Sequence, residues 1–446
     1  MAESSAIAFG KYLRELRERR GLSLARVCEL SKNSAEAFDK GTLSRLERGQ
    51  QSPSIFRLGP LSRIYDISAD ALLERMELDR EAERHGAPDT ANLSHAELER
   101  AGGASVLRSK KWDAYIFFRD AYWLAPVERR VPTWLNLATA IRSLGKNALA
   151  LHELRDLDDS GLVGLDLRSV LSERISNCAR CLGDIRSAES YGDAAIEQAL
   201  EQGDGLTLAY AYSARGGAAM NKEDWAIGYD LLMKALTAYR EGAHRQSRLS
   251  PSPSFESQAM LWLAECAQRL GNVPRARRLA QTAKRMSEEN DLPLGVAYGE
   301  LILGLVEEAT GHVEQALLRW RKASTLAARL DNPRLAFAAE FEAFRQALEV
   351  GDVARARASR RRLERIAPWV PRHTSAYRRF KILVQKPVSR DSRDHGGQID
   401  DQNQKVLDAR DGFASSDDLA AGRHTSSRGR RGVPNRPSGR PAERGH

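Results

Sequence analysis

A short polar segment near the N-terminus carries side chains suited to contact a polyanion. Residues 41–54 have the sequence GTLSRLERGQQSPS, which includes Ser44, Arg45 and Gln50. Arginine can donate two hydrogen bonds to the guanine edge in the major groove of DNA, and serine or threonine can serve bases or phosphates. The segment therefore indicates contact with nucleic acid.

Apolar periodicity on both sides of this segment predicts a helical support. Residues 9–31, FGKYLRELRERRGLSLARVCELS, predict two amphipathic helices, and residues 56–73, FRLGPLSRIYDISADALL, predict two more. The segment itself predicts a short helix that begins near Lys40–Thr42, ends at Gly49 and has Leu43 and Leu46 toward the core. Residues 1–78 are thus expected to form a five-helix unit.

The outward face of the short helix supplies the candidate DNA contacts. We expect it to present Thr42, Ser44, Arg45 and Arg48. Ser52 or Ser54 offers an N-cap for the next helix, whose N-terminus suits a phosphate group. Gln50 and Arg57 are candidates for backbone contacts beside it. The alternative is that Arg45 and Arg48 are ordinary solvated charges that pair with Glu47 or Glu18.

The order of these motifs resembles the XRE, or phage-repressor-type, helix-turn-helix family over about 65 residues. The matching motifs are ERRGLS (18–23), VC (27–28), TLSRLERG (42–49), SPS (52–54) and SADALL (68–73). The resemblance implies base and phosphate contacts at Lys40, Thr42, Ser44 and Arg45. Two features depart from the family. The turn KNSAEAFDKG (32–41) is about five residues longer than usual, and Leu24 stands where a polar contact residue is common.

The middle of the chain contains a helical repeat. The repeated motif occurs as SKKWDA (109–114), GKNALA (145–150), GDIRSA (183–188), NKEDWA (221–226), GNVPRA (271–276), GHVEQA (311–316) and GDVARA (351–356). Each copy joins two amphipathic helices: the glycine or asparagine supplies a left-handed turn and the alanine permits close packing. The array resembles tetratricopeptide repeats. We therefore predict a linker over 79–103, an α-solenoid of about seven helix pairs over 104–386, and a disordered basic tail over 387–446.

Composition excludes several classes of protein. No apolar run is long enough to span a bilayer, the mean hydropathy is -0.50, and four cysteines are too few for a disulfide scaffold, so we expect a cytoplasmic protein. The sequence has no phosphate-binding glycine motif and no catalytic constellation. Cys178 and Cys181 form an isolated CxxC motif, without a second pair for zinc. We expect no enzyme activity, no cofactor and no metal.

The net charge of +9 is unevenly distributed. Residues 353–386 contain eleven basic side chains and one acidic one, whereas residues 1–78 carry a net charge of only +2. The basic segment is expected to be the last repeat helix and a solvated capping helix. Two alternatives are a second phosphate-contacting surface and a docking site for an acidic partner.

These patterns together predict an all-α, sequence-specific transcriptional regulator. It would bind double-stranded DNA as a homodimer on two half-sites. A peptide or protein effector would bind in the groove of the array, where Asn136 and Asn177 are the candidate contacts. The alternative function is a tetratricopeptide-type scaffold or adaptor for protein partners, with the helix-turn-helix as a docking module.

Overall fold

The computed structural model describes residues 5–34, 36–86, 88–108, 110–242 and 252–385. Across these ranges the chain forms twenty α-helices, one short 3-10 turn and no strand, which confirms the predicted all-α class. The helices belong to one compact unit, Met1–Gln385. Lys386 and the predicted tail, residues 387–446, lie outside the described residues.

Five helices form the N-terminal unit, as predicted. They are α1 (Ser5–Arg19), α2 (Leu24–Ser31), α3 (Lys40–Glu47), α4 (Ile55–Tyr65) and α5 (Ala69–His85). Ser23 caps α2 by accepting a hydrogen bond from the Arg26 amide at 3.2 Å, and Ser68 caps α5 in the same way. The core between the helices contains Leu13, Leu16, Val27, Leu43, Leu46 and Leu61, each at most 1% exposed.

The long turn between α2 and α3 packs against the unit. Phe38 is buried at 4% exposure, and its amide donates to the hydroxyl of Ser31 at 2.9 Å. Arg57 on α4 forms an ion pair with Glu36 at 3.1 Å. The added length therefore contributes a core side chain and a tether to α4.

The array consists of seven consecutive helix pairs within the described residues, in agreement with the predicted number. The first helices of the pairs are α6 (His95–Leu107), α8 (Val127–Ser143), α10 (Leu165–Leu182), α12 (Gly205–Asn221), α14 (Pro253–Arg269), α16 (Pro293–Ala309) and α18 (Pro333–Glu349). The second helices are α7 (Lys111–Leu124), α9 (Asn147–Asp159), α11 (Ile185–Gln202), α13 (Trp225–Gly242), α15 (Val273–Glu289), α17 (Val313–Arg329) and α19 (Val353–Ile366). A 3-10 turn (Ala367–Trp369) and α20 (Ser375–Gln385) follow.

The repeated motif marks the start of the second helix in every pair. In five copies the first residue is a glycine with φ between 72° and 84°, and the alanine five residues later is buried. The first copy begins at Ser109, which lies outside the described residues, and the fourth copy differs from the other five. There Glu223 adopts φ 66°, and Gly228 is the small buried residue. The predicted motif at 221–226 is therefore wrong by two positions, and the structural repeat is EDWAIG (223–228).

Helices continue through much of the segment predicted to be a linker. Leu78 is fully buried, and Arg75 pairs with Asp79 at 2.8 Å, so the inward face of α5 persists to His85. Residues 95–103 belong to α6, whose Ser94 and Glu97 form a capping box. Only a short connection thus separates α5 from α6.

The basic C-terminal segment forms the last repeat helix and the capping helix, as expected. Phe380 of α20 packs edge-on against Phe337 and Phe344 of α18. On α19, Arg362 pairs with Glu340 at 2.8 Å, while Arg357 and Arg361 are exposed. This end of the array is therefore covered by a basic cap.

Candidate nucleic-acid interface and array cavity

Helix α3 presents a basic face to solvent. Asp39 caps the helix by accepting the Thr42 amide at 2.8 Å, and Leu43 and Leu46 fix the opposite face in the core. Lys40 and Arg45 are exposed on α3, Arg48 is exposed at its C-cap, and Ser44 is half-buried.

The neighbouring carboxylates are paired with arginines of α1. Arg17 binds Glu47 through two hydrogen bonds of 2.7 and 3.0 Å, and Arg14 binds Glu18 at 2.8 Å. In the described part of the chain, Lys40, Arg45 and Arg48 form no ion pair. The alternative in which Arg45 and Arg48 pair with Glu47 or Glu18 is therefore not what the structure contains.

Thr42 was expected to face outward, and this orientation is wrong. Thr42 is 6% exposed, and its hydroxyl donates to Asp39 at 2.6 Å while accepting from Arg45 at 3.1 Å. The hydroxyl is satisfied within the N-terminal turn of α3, which draws the side chain inward. Thr42 thus orients Arg45 and Asp39, and its contact with DNA remains an untested prediction.

The N-terminus of α4 lies next along the chain. Ser54 occupies its N-cap position but forms no side-chain capping bond, and both Ser54 and Gln50 are exposed. The first amides of α4 are thus available to an anion. Arg57 is half-buried between Glu36 and the ring of Phe38, which lies 5.8 Å from its guanidinium carbon.

Two glycines set the close approach of α1 to α3, and the sequence analysis missed both roles. A Cβ atom on Gly10 would lie 2.5 Å from the Leu46 carbonyl oxygen. A Cβ atom on Gly49, which adopts φ 68°, would lie 2.5 Å from the α-carbon of Ile7. Helix α3 is therefore positioned by close backbone contact with α1, which larger side chains at Gly10 and Gly49 would prevent.

A network of charged side chains joins the N-terminal unit to the array. Arg19 on α1 lies 3.2 Å from Glu153 and 3.3 Å from Asp156, both on α9. Its guanidinium carbon lies 4.4 Å from the centre of the Trp134 ring on α8, whose indole nitrogen donates to Glu153 at 2.8 Å. Arg20 adds a second pair to Asp156 at 3.2 Å.

The charged state of this network is strongly favoured. Burial alone would raise the pKa of Glu153, but Arg19 and the neighbouring donors outweigh it and hold the pKa below its ordinary value. Burial likewise opposes the charge on Arg19, and the carboxylates Glu153 and Glu15 raise its pKa. Arg19 and Glu153 are therefore both charged at the junction.

Glu74 makes a different kind of junction contact. Its carboxylate, on α5, accepts the amide of Leu149 in the first turn of α9 at 2.8 Å. Burial raises the pKa of Glu74 to about 7, although the hydrogen bonds from the Leu149 and Ala148 amides and the charge of Lys146 act in the opposite direction. This contact between the two parts of the chain is therefore sensitive to pH near neutrality.

The first helices of the pairs line a large cavity in the array. Its volume is about 710 Å³, within the range typical of ligand sites. The lining includes Trp225, Trp262 and Tyr298, together with the asparagines Asn221, Asn290 and Asn332. The cavity is therefore both aromatic and polar.

The two asparagines predicted as groove contacts do not line this cavity. Asn136 is half-buried on α8 and is not among the residues that line the cavity, whereas Arg142 of the same helix is. Asn177 accepts a hydrogen bond from Arg180 at 3.2 Å, and Arg180 lines the cavity. Asn177 thus lies one side chain behind the wall.

In the described ranges, no cluster of metal-ligating side chains occurs, and no helix has the length and apolarity to cross a bilayer. Cys178 is fully buried in α10, and burial raises the pKa of its thiol to about 12.

Comparison with known proteins separates the two parts. Residues 8–76 match the family described as helix-turn-helix domain. The sequence has no match among curated proteins. A Rap protein complexed with competence and sporulation factor superposes with a TM-score of 0.53 at 12% identity, covering 82% of this chain and 99% of that one.

Two further structures are similar at lower scores. Bacillus thuringiensis PlcR in complex with the peptide PapR7 and DNA has a TM-score of 0.39 and 15% identity, with coverage of 67% and 99%. ComR from S. thermophilus, in complex with DNA and its signalling peptide ComS, has a TM-score of 0.35 and 13% identity, with coverage of 76% and 99%. The chain is a helix-turn-helix domain at its N-terminus followed by a tetratricopeptide-like helical array.

Proposed function

We propose that this chain is a sequence-specific, DNA-binding transcriptional regulator of the XRE type whose array senses an effector. The single observation that carries the proposal is the basic face of α3. Lys40, Arg45 and Arg48 are exposed and form no ion pair within the described residues, whereas Arg14 and Arg17 on the adjacent α1 are paired. Unpaired arginines on a helix of a helix-turn-helix domain suit contact with guanine and phosphate.

The expected docking places α3 in the major groove. Arg45 and Ser44 face base edges, while Lys40, Arg48 and Gln50 contact phosphates. The open N-terminus of α4 at Ser54 receives a further phosphate, and Arg57 supports that contact from its place beside Glu36. Thr42 orients Arg45 through their hydrogen bond.

A single domain of this size has limited affinity, so we propose a homodimer that binds two half-sites. The half-sites would be about 34 Å apart, one turn of DNA. The array supplies the dimer contacts and sets the separation of the two helix-turn-helix domains.

The junction supports a route from effector to DNA. Arg19, Arg20 and Glu74 attach the helix-turn-helix domain to α9 of the array, so a change in the curvature of the array moves the domain with it. An effector that binds one curvature more tightly shifts the population toward one spacing of the two domains. The Rap protein with the same fold was solved with a bound factor, which supports effector binding by this array.

Selection of genomic fragments by the purified full chain tests this function. We expect enrichment of fragments that contain two related half-sites, and footprinting should give protection on one face of the DNA with a spacing of about one helical turn. Retention that depends on salt but not on sequence would contradict the proposal, because that result is typical of nonspecific phosphate contact. Failure to retain any fragment would favour the adaptor function.

A further inference from the structure

One end of the array cavity is cationic. Arg142, Arg180 and Arg334 line it from α8, α10 and α18. Arg142 and Arg180 stand three residues before the turn glycines Gly145 and Gly183, so they occupy equivalent positions in successive pairs. The curvature of the array brings Arg334 to the same cavity.

These three guanidinium groups form no ion pair with any residue that the structure describes. Arg180 is only 8% exposed, and its single hydrogen bond through a side-chain nitrogen goes to Asn177 at 3.2 Å. The Nε atoms of Arg180 and Arg142 are buried without a partner. Burial lowers the pKa of Arg180, and Arg334 and Arg142 lower it further.

Arg345, by contrast, is a buried arginine of the same array that is paired with carboxylates of the chain. It is 6% exposed, and its guanidinium pairs with Glu342 at 2.8 Å, Glu308 at 2.6 Å and Glu349 at 2.5 Å. A buried charge without such partners is strongly unfavourable. Arg180 therefore opposes folding, and its placement suits an added counter-charge. The buried carboxylate of Glu173 attracts Arg142 and Arg180 electrostatically, but among the described residues it forms no ion pair with either of them.

The acidic side chains of the cavity are engaged elsewhere. Glu265 accepts a hydrogen bond from the hydroxyl of Tyr298, and Glu342 pairs with Arg345 and Arg269. They do not neutralise the cationic end. Beside that end lies the Trp262 ring, whose centre is 5.6 Å from the guanidinium carbon of Arg180.

The segment before α20 covers this end of the cavity. The His373 ring packs against Gly183, and its Nε2 atom is buried without a partner. Ser375 donates to Glu223 at 2.7 Å across the array. A group bound between the arginines would therefore also contact the segment before α20, at His373.

We propose that this cationic end of the cavity binds the carboxylate or phosphate group of an anionic ligand whose apolar portion lies along Trp262. Naming that ligand as the effector rests on the proposed regulatory function, whereas the binding itself involves no DNA. The cavity volume of about 710 Å³ accommodates a small organic anion or a short acidic peptide segment.

Thermal unfolding of the full chain with defined anions tests the proposal. The probes are citrate, inorganic phosphate and acetyl-tetraglutamate, each compared with sodium chloride of equal ionic strength, and acetyl-tetraglutamine is the uncharged peptide control. We expect at least one anion to raise the Tm by about 3 °C when it nears saturation, and the uncharged peptide to leave it unchanged. The citrate, phosphate and peptide arms distinguish a carboxylate from a phosphate ligand and a small molecule from a peptide.

Three variants make the test specific. Arg180→Met should raise the Tm without ligand and abolish the anion response, whereas Arg345→Met, a matched buried arginine, should lower the Tm. Arg334→Gln changes an exposed side chain and should reduce the response while the fold is retained. If no anion shifts the wild type, or if the shift persists in Arg180→Met, the proposal is wrong.

Cys181 provides a second readout. Burial opposes ionisation of its thiol, but Arg180, Arg142 and Arg334 outweigh burial and lower its pKa. A bound anion would compete for these charges and slow alkylation of Cys181, while Cys28 in the helix-turn-helix domain would react at an unchanged rate. Equal effects on both cysteines, or none on Cys181, would overturn the proposed location. A negative result for anion binding would leave the proposed DNA binding unaffected. A negative result for DNA binding would leave the anion-binding result unaffected.

Discussion

The guanidinium of Arg19, on the first helix of the helix-turn-helix domain, lies 3.2 Å from the carboxylate of Glu153, on α9 of the array. Glu153 is 5% exposed as a side chain, and Trp134 lies over the arginine. This ion pair links the array directly to the helix-turn-helix domain. Removing one partner would leave a buried charge without compensation.

Arg19→Met should therefore destabilise the junction. We expect a loss of about 3 kcal/mol in the free energy of unfolding, since Glu153 would retain the Trp134 donor but lose its principal counter-charge. Urea denaturation measures the loss, and limited proteolysis should show faster cleavage between the two parts. Arg14→Met, on the same helix but in an exposed pair with Glu18, is the matched control. Equal behaviour of the two variants would show that the junction pair has no special role.

Glu74→Gln should reveal the pH dependence of the second junction contact. The pKa of Glu74 is raised to about 7 in the folded chain, so the native state holds a proton that the unfolded state releases near pH 4.5. Wild-type stability relative to the glutamine variant is then greatest at low pH, decreases as the pH rises toward 7, and is constant above it. The glutamine can still accept the Leu149 amide.

Melting curves of both proteins between pH 4 and 9 measure this difference. We expect the advantage of Glu74→Gln to grow to a plateau of about 3 kcal/mol above pH 7. Glu77→Gln, also on α5, removes one partner of Lys146 and is the control for a substitution at this junction. Parallel curves for Glu74→Gln and wild type would refute the buried carboxylate as the source.

Alanine substitutions at two helical glycines should change the free energy of unfolding in opposite directions, because Gly304 is closely packed and Gly103 is not. A Cβ atom on Gly304 would overlap the indole of the fully buried Trp320, so Gly304→Ala should cost about 1–3 kcal/mol. Gly103, inside α6, has no atom within 4 Å of the corresponding position among the described residues. Gly103→Ala should stabilise by about 0.5–1 kcal/mol, because glycine weakens a helix interior. If urea denaturation gives changes in the free energy of unfolding of the same sign for both variants, the described packing is contradicted.

The array was predictable because its turns depend on local chemistry. A glycine with positive φ followed by a small residue is visible in the sequence at Gly183 and Ala188. In the fourth copy the turn lies two residues later than predicted, because Glu223 takes the left-handed conformation and Gly228 replaces the alanine. Local sequence cannot show that a glutamate will adopt a conformation that glycine favours.

The two sites differed in how far the sequence could locate them. The basic face of α3 followed from helical spacing, but the inward turn of Thr42 depends on its hydrogen bond to Asp39. The cavity arginines lie on separate pairs, and only the curvature of the array brings Arg334 to Arg142. The arginines three residues before Gly145 and Gly183 were the one local signal, since equivalent positions in a repeat face the same surface.

Fluorescence anisotropy on the most enriched genomic fragment tests the central claim that α3 contacts specific bases. Wild type should bind that fragment more tightly than a scrambled sequence, and Arg45→Ala should lose affinity by about 1–3 kcal/mol, with a smaller difference between the two sequences. Arg14→Ala, an exposed arginine on α1, should bind as wild type does. If Arg45→Ala retains wild-type affinity and sequence preference, or if Arg14→Ala loses as much, the assignment of α3 as the base-contacting helix is contradicted.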